Sequence, residues 1–538
     1  MRHHFQRSIL SRWLKFTVLS SLVFCWSVSY HWLGISPSHA LVPMAAAVSC
    51  EITTTECQDF PSLLIAHSDQ PASPSAPAVQ PGLARFQAGD TLGAIALWRQ
   101  ALQQTPAQSA AWVTILKYLV RAQAQVGQVD AAIAHLNQLL GYYRQVNDRQ
   151  QFGRMLTEQA QLYSHLGQQR RAITLLCHEL SDQDCQPDSA LAIARQHADL
   201  PGTAAALGSL GNAYRLRGDY ATASRYLTAS RTIAQQQHLL TYEIAAWHGL
   251  GNLHTSLVKR YQRQLQSAQA AGDTVATETM TRSLTQSFNQ AIAAFDHSLT
   301  LARQQQDPWN ELRALLNLAA LTFYQPPSRQ NTELQLQQAQ TLLDRLPDSR
   351  ETAFATIHLA TLWQLADLPS GITSSEVLTR CVPVGNKSVS TDRLLQQALA
   401  MAQRIQDPQS TAFALGRLGH LAECRHQYPQ ALDLTHQAQL TAATAEYRYL
   451  WEWQAGRILQ ATGQPQSAIA AYETAVQTLT SLRADMAIAS RDFQFDFRDT
   501  IEPIYRQLTA LYLTQSPSYP PLPPPSAKAQ IPVSYTHL

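Results

Sequence analysis

Charged residues are scarce in this chain of 538 residues. Asp, Glu, Lys and Arg make up 14% of it, and they nearly cancel to a formal net charge of +2. No basic stripe is present, so the composition gives no electrostatic case for nucleic acid as a partner. Runs of β-branched residues are also few, whereas Ala, Leu and Gln are abundant. This balance favours helices over strands.

The sequence also lacks the signatures of common active sites. It has no Gly-rich phosphate loop and no GxSxG, and the His178-Glu179 pair lacks a second His at helical spacing. Cys177 and His178 are adjacent, so their side chains would diverge on a helix and make a poor dyad. No CxxC or CxxH spacing indicates a metal site. We therefore expect no catalytic residue, no cofactor and no metal.

One stretch, Ala204 to Leu239, contains the pattern around which the rest of the chain is organised. Leu207, Leu210, Gly211 and Tyr214 fall on one face of a helix, and a second apolar stripe begins after Gly218-Asp219. Neither helix can bury its stripe alone. The stretch therefore predicts a helical hairpin that stacks on further copies of itself.

This pattern resembles the tetratricopeptide repeat, in which a large residue, Leu-Gly, Tyr, a turn Gly and later Ala and an aromatic recur. Gly211 and Gly251 are 40 residues apart, longer than the usual period of about 34, which indicates extended helices. We read 257–288 as extended helices of one such unit. The resemblance implies an all-α helical solenoid of antiparallel hairpins over residues 82–490, between disordered terminal segments. Further copies are marked by Leu415, Leu418, Gly419, Trp453, Gly456, Gly463 and Tyr472.

The first 40 residues predict a signal peptide. Basic residues precede an apolar stretch over 16–35, and Ser38-His39-Ala40 offers small residues at the two positions that signal peptidase reads. An uncleaved membrane anchor is the alternative, because this stretch approaches the roughly 20 residues that span a bilayer. Either way we expect an exported, periplasmic or extracellular protein. Residues 41–81, rich in Pro, Ala and Ser, predict a linker.

Cysteine usage agrees with export. Beyond Cys25 in the predicted signal, six cysteines remain, and an even number in an exported chain suggests disulfides. Six unpaired thiols that pack as small hydrophobes are the alternative. Proximity in the sequence favours the pairs Cys50–Cys57, Cys177–Cys185 and Cys381–Cys424.

Residues 491–513 follow the last repeat. Alternating Phe493, Phe495 and Phe497 predict a segment that caps the apolar face of the final repeat. The run FDFRDTIEPIYRQL also resembles the junction in bacterial CHAT-domain proteins of cyanobacterial type, where repeats precede a caspase-like domain with a His-Cys dyad. The resemblance implies a truncated chain that ends in a Pro-rich tail, residues 514–538. None of that family's catalytic residues falls on this sequence.

In repeats of this type the first helix of each hairpin lines a concave surface, so its non-core positions face a ligand. Asn212 and Asn252 both follow a core Gly, and a ladder of such amides can hydrogen-bond an extended peptide. The alternative is that these amides serve packing between helices. The candidate partner-binding residues are Asn212, Arg215, His248, Asn252, Asn317, His420 and Arg457.

The sequence therefore predicts an exported repeat protein that binds protein or peptide partners through its concave surface, without catalysis of its own. Two alternatives stay open. One is the regulatory or docking arm of a CHAT-type caspase-like cysteine protease. The other is a structural scaffold of an envelope assembly, which would associate with itself.

Overall fold

The computed structural model describes residues 77–178, 185–323, 329–366, 381, 388–442, 445–486 and 501–515. The predicted signal peptide, most of the linker, Cys50, Cys57, the alternating Phe493, Phe495 and Phe497, and all but the first two residues of the Pro-rich tail lie outside the described residues. Within them the chain is all α-helical, without strands, and none of the helices is both long and apolar enough to cross a membrane.

The described helices are α1 Gln80–Gln87, α2 Thr91–Gln104, α3 Ala110–Gln125, α4 Val129–Gln145, α5 Arg149–His165, α6 Gln169–Leu176, α7 Ala190–Gln196, α8 Leu200–Leu216, α9 Tyr220–Gln236, α10 Leu240–Ala270, α11 Thr274–Gln304, α12 Pro308–Thr322, α13 Arg329–Leu343, α14 Arg350–Ala366, α15 Ser388–Arg404, α16 Pro408–Cys424, α17 Tyr428–Thr441, α18 Ala445–Ala461, α19 Pro465–Met486 and α20 Glu502–Gln515.

Short turns with one recurring pattern join many of these helices. At the end of α8, Gly218 has a φ of 78° and its N–H donates to the carbonyl of Arg215, while Asp219 N–H donates to that of Tyr214. Such a C-terminal motif needs the left-handed conformation that Gly adopts most easily. Asp219 then caps α9 by accepting from Thr222 N–H at 3.1 Å. Equivalent caps are Asp90, Asp148, Asp199, Asp273, Asp307 and Asp407.

Consecutive helices pack in pairs because small residues let their axes approach. A Cβ on Gly211 of α8 would lie 2.5 Å from Cγ of Leu227 on α9. A Cβ on Gly251 of α10 would likewise lie 2.5 Å from the ring of Phe295 on α11. Ala223 of α9, four residues before Leu227, is also fully buried. The hairpins predicted around Gly211 and Gly251 are therefore present.

The helices α10 and α11 are the longest described, at 31 residues each. They contain the polar stretch 257–288, and their outer ends extend beyond the neighbouring hairpins as mostly exposed turns. The prediction that this stretch forms extended helices of a single unit is confirmed.

The helix α20 covers the end of the last hairpin. Its apolar face, which includes Ile504 and Leu508, packs on Tyr472 of α19. Tyr472 Oη donates to Oε1 of Gln507 at 2.8 Å, and Trp453 Nε1 donates to the same oxygen at 2.7 Å. This packing buries apolar surface that a further repeat would otherwise cover.

The first hairpins also contact the α14–α15 hairpin, far along the sequence. Ile405 belongs to the same apolar cluster as Trp98 of α2. The guanidinium of Arg350, which is paired with Asp407, lies so close to Gly127 that a Cβ there would be 2.3 Å from its Cζ. Within the described part of the chain, hairpins distant in sequence therefore meet through an apolar cluster and through the side chain of Arg350.

Candidate recognition site

The first helices of successive hairpins form a pocket, which we call the first-helix pocket. It is lined by α5, α8, α10 and α12, with a contribution from α9. Its polar lining includes Gln161, Ser209, Asn212, Arg215, His248, Asn252 and Arg313.

Two arginines dominate the electrostatics of the first-helix pocket. Arg215 is 4% exposed and Arg313 is 7% exposed. Arg215 Nη1 donates to Ser256 Oγ at 3.4 Å, and Arg313 Nη1 donates to Asn310 Oδ1 at 3.2 Å. None of the residues described as lining this pocket is an Asp or a Glu. The lining therefore concentrates positive charge in a largely desolvated space.

His248 lies in the same pocket and is neutral. Burial, together with the charges of Arg313 and Arg215, holds its pKa well below the usual range. Its Nε2 is 3.1 Å from Asn317 Nδ2, so Nε2 accepts from the amide and Nδ1 carries the proton. That Nδ1 is buried and has no hydrogen-bond partner among the described residues. His248 therefore offers one free donor inside the pocket.

The two asparagines of the predicted ladder differ in their surroundings. Asn212 is half-buried and Asn252 is 7% exposed, and both line the pocket. Asn252 Oδ1 accepts from Asn317 Nδ2 at 3.3 Å, so part of its amide is already used. Asn212 and Asn252 lie 13 residues after the N-caps of α8 and α10, whereas Asn317 lies 10 residues after Asp307. Asn317 therefore does not extend the ladder. It hydrogen-bonds the lining residues His248 and Asn252 instead.

The two remaining predicted residues, His420 and Arg457, belong to a separate network. Glu423 Oε2 is 2.9 Å from His420 Nδ1, and Glu423 accepts from Nε and Nη2 of Arg457 at 3.0 Å each. Burial by itself would raise the pKa of Glu423, but the charge of Arg457 and the two sets of hydrogen bonds lower it to about 2. His420 and Arg457 are thus held by an ion pair away from the first-helix pocket.

Several polar lining residues of the pocket were missing from the sequence prediction, among them Gln161, Ser209 and Arg313. Gln161 Nε2 donates to Ser209 Oγ at 3.0 Å, which links α5 to α8. Arg313 stands four residues before Asn317 on α12, so helical spacing from a predicted residue could have identified it. Gln161 lies 13 residues after the N-cap Asp148, in the register of Asn212 and Asn252, but Ala160 stands where α8 has Gly211.

Two of the three predicted cysteine pairs are disulfides in the structure. Cys177–Cys185 and Cys381–Cys424 are both bonded, while Cys50 and Cys57 lie outside the described residues. Cys381, from the segment between α14 and α15, is exposed, and Cys424 at the end of α16 is half-buried. The spacing argument against metal sites considered only CxxC and CxxH, and it overlooked His420 and Cys424, which are four residues apart on one helix.

A comparison with known protein families identifies the repeat type of the first described helices. Residues 85–156 match the tetratricopeptide-repeat family, so α1 to α5 include repeats of this kind. The hairpins that follow continue the same arrangement, and the described chain is an all-α helical solenoid. No curated protein is similar enough in sequence to count as a match.

Several solved structures are similar to this chain at low scores. BtubC (BKLC) from P. vanneervenii is 15% identical with a TM-score of 0.29, over 52% of this chain and 99% of that one. A Rap protein complexed with competence and sporulation factor is 13% identical with a TM-score of 0.35, over 68% and 98%. A signal-transduction ATPase with a tetratricopeptide-repeat sensor from Pyrococcus horikoshii is 13% identical with a TM-score of 0.33, over 79% and 53%. Such scores are too low to indicate a shared function.

Proposed function

We propose that this chain is a protein-interaction solenoid that binds an extended segment of a partner and seats a carboxylate of that segment in the first-helix pocket. The observation that carries the proposal is the pair of buried arginines, Arg215 and Arg313, in a pocket whose described lining has no acidic residue. The carboxylate belongs either to an Asp or Glu side chain or to the C-terminus of the partner.

The chemistry of the lining favours a carboxylate over a neutral group. A guanidinium presents a planar fork that matches two carboxylate oxygens, and such charge-assisted bonds are about twice as strong as neutral ones. The half-buried amide of Asn212 and the free Nδ1–H of His248 add neutral hydrogen bonds. We therefore assign anchoring to the arginines and backbone pairing to the amides.

An array of decapeptides tests this function. It contains acidic, neutral and basic sequences, each with a free and with an amidated C-terminus. We expect the full chain to bind the acidic or the free-carboxyl members. The Arg313→Met and Arg215→Met variants should lose roughly 10- to 100-fold in affinity, because each removes a charge-assisted bond. If amidation abolishes binding, the terminal carboxylate is the anchor, and if Glu→Gln in the peptide does so, the side chain is.

The matched control is Arg282→Met on α11. Arg282 pairs with Glu278 four residues earlier, and both side chains are largely exposed. Removing it changes the net charge by the same amount without touching the pocket, so affinity should stay within a factor of about two of wild type. Equal losses in all three variants, or equal binding of basic and acidic peptides, would refute a carboxylate anchor.

The amide ladder makes a smaller contribution in this proposal. Asn212→Ala removes one neutral hydrogen-bonding side chain and should weaken the selected peptide by about 0.5–1.5 kcal/mol. Since Asn252 already accepts from Asn317, Asn252→Ala also removes an internal hydrogen bond. Asn212→Ala is therefore the cleaner test. If its affinity for the peptide were unchanged, the proposal that a ladder of amides binds the peptide would be wrong.

We also propose that the chain is exported, on the basis of its N-terminal sequence pattern and its paired cysteines. A docking arm of a CHAT-type protease would use the same pocket, so the peptide test applies to both functions. N-terminal sequencing of protein expressed in a bacterial host with a signal peptidase should give Leu41 as the first residue. A full-length chain in the membrane fraction would instead support the anchor.

A further inference from the structure

Three potential metal ligands meet at the end of α16, outside the first-helix pocket. Sγ of Cys381, Sγ of Cys424 and a ring nitrogen of His420 all lie within 4.8 Å of one another. His420 Nε2 is 3.6 Å from Cys424 Sγ. Two thiolates and an imidazole are the donor types that zinc prefers. The proposed binding of partners does not use this cluster.

The local structure explains how these groups come together. His420 and Cys424 are four residues apart on α16, so their side chains lie on one face of the helix. Cys381 reaches this face from a segment 43 residues earlier and is held there by the disulfide to Cys424. Because Cys381 is exposed, a solvent-borne reductant can reach the bond.

The tautomer of His420 suits a metal ligand. Its Nδ1 faces the carboxylate of Glu423 at 2.9 Å, and a carboxylate can only accept, so Nδ1 carries the proton. Nε2 then carries the lone pair that a metal needs, and it lies 3.6 Å from Cys424 Sγ. Glu423 is itself fixed by two hydrogen bonds from Arg457 at 3.0 Å each. A carboxylate behind a His is the usual arrangement that positions metal-bound imidazoles.

We propose that reduction of the Cys381–Cys424 disulfide converts this cluster into a binding site for a thiophilic divalent cation such as zinc. Its ligands are the two thiolates and His420 Nε2, and water fills the fourth tetrahedral position. A dithiol supplies the two electrons and two protons that break the S–S bond and is itself oxidised to a disulfide. The two thiols then release their protons to solvent as the cation binds. Metal binding and the disulfide therefore exclude each other.

The test uses the full chain and Co²⁺ as a spectroscopic stand-in for zinc. The protein is reduced with dithiothreitol, which gel filtration under argon then removes, and Co²⁺ is titrated in. We expect one equivalent to bind with a thiolate-to-cobalt absorption band that Zn²⁺ abolishes. The oxidised wild-type chain should show no such band, and this control needs no substitution.

Variants separate this site from the other cysteines of the chain. Cys381→Ser should lose about half of the band, since one of two thiolates is gone, and His420→Gln should weaken binding at least about tenfold. Glu423→Gln should keep the band but lower the affinity roughly 10- to 100-fold, because the Glu423 carboxylate positions the imidazole and does not itself bind the metal. The double variant Cys177→Ser/Cys185→Ser is the matched control and should bind as wild type does.

Three results would overturn the proposal. One is a band of equal strength in the oxidised and reduced chains. Another is uptake by the reduced wild type no greater than that of Cys381→Ser/Cys424→Ser. The last is a Cys381–Cys424 bond that dithiothreitol leaves closed in the native protein, as judged by mass spectrometry after alkylation.

Discussion

A substitution at Gly251 tests the close approach of paired helices, on which the solenoid depends. A Cβ added there would lie 2.5, 2.6 and 2.7 Å from three ring carbons of Phe295, which is fully buried. The ring cannot retreat freely, because it is fully buried and packs edge-on against His248 at a centroid distance of 5.3 Å. Gly251→Ala should therefore separate α10 from α11 and lower stability.

The magnitude follows from comparison with Gly141→Ala on α4. Gly141 is exposed, and nothing lies within 4 Å of its added Cβ. Both substitutions gain about 1 kcal/mol in helix propensity. That gain cancels between them, so their difference isolates the overpacking at Phe295, about 1–3 kcal/mol. Gly141→Ala should be more stable than wild type.

The assay is urea denaturation followed by far-ultraviolet circular dichroism, with wild type, Gly251→Ala and Gly141→Ala in parallel. We expect the midpoint to rise for Gly141→Ala and to fall for Gly251→Ala relative to it. If Gly251→Ala were as stable as Gly141→Ala, the α10–α11 contact would have room for a methyl group. The packing argument for the core glycines would then be wrong.

Two further predictions concern buried polar groups. Burial lowers the pKa of His358 to about 3. As the pH falls below about 6.5, this histidine is therefore protonated in the unfolded chain but stays neutral in the folded chain. Stability should drop by about 2 kcal/mol between pH 6.5 and 5 from this group alone, and His358→Gln should flatten that part of the pH profile measured by urea denaturation. Asp199 caps α8 and also accepts two hydrogen bonds from Arg154, with its own side chain only 2% exposed. Asp199→Ala should therefore cost about 3 kcal/mol, against about 1 kcal/mol for Asp219→Ala, which removes an N-cap alone; equal losses in thermal melts would show that the Arg154 pair contributes nothing.

Local sequence pattern was sufficient to predict the hairpins. Gly211 and Ala223 are small because two helices meet there, and the Gly218-Asp219 turn follows from backbone and capping chemistry that acts within a few residues. The long α10–α11 pair could likewise be predicted from the polar stretch 257–288, which was read as extended helices of one unit. These features depend on residues that are close together in the sequence, so the spacing of residue types was enough to predict them.

The pocket could be predicted only in part, since it depends on how successive hairpins are placed. Asn212 and Asn252 share a register that can be counted along the chain. Asn317 sits at another register and still reaches Asn252, because α12 lies beside α10. Arg313 enters the pocket by the same route. Contacts of this kind depend on how far each repeat is rotated relative to the next. The sequence pattern of a single repeat does not predict that rotation.

The most direct test of the proposed function is a double-mutant cycle between Arg313 and the carboxylate of a bound peptide. The tightest acidic decapeptide from the array and its Glu→Gln or amidated form are titrated calorimetrically into wild type and Arg313→Met. If the carboxylate is seated against Arg313, the two changes should couple by at least about 1.5 kcal/mol. Strictly additive losses would mean that the carboxylate binds elsewhere, and they would contradict the assignment of the first-helix pocket as the anchor.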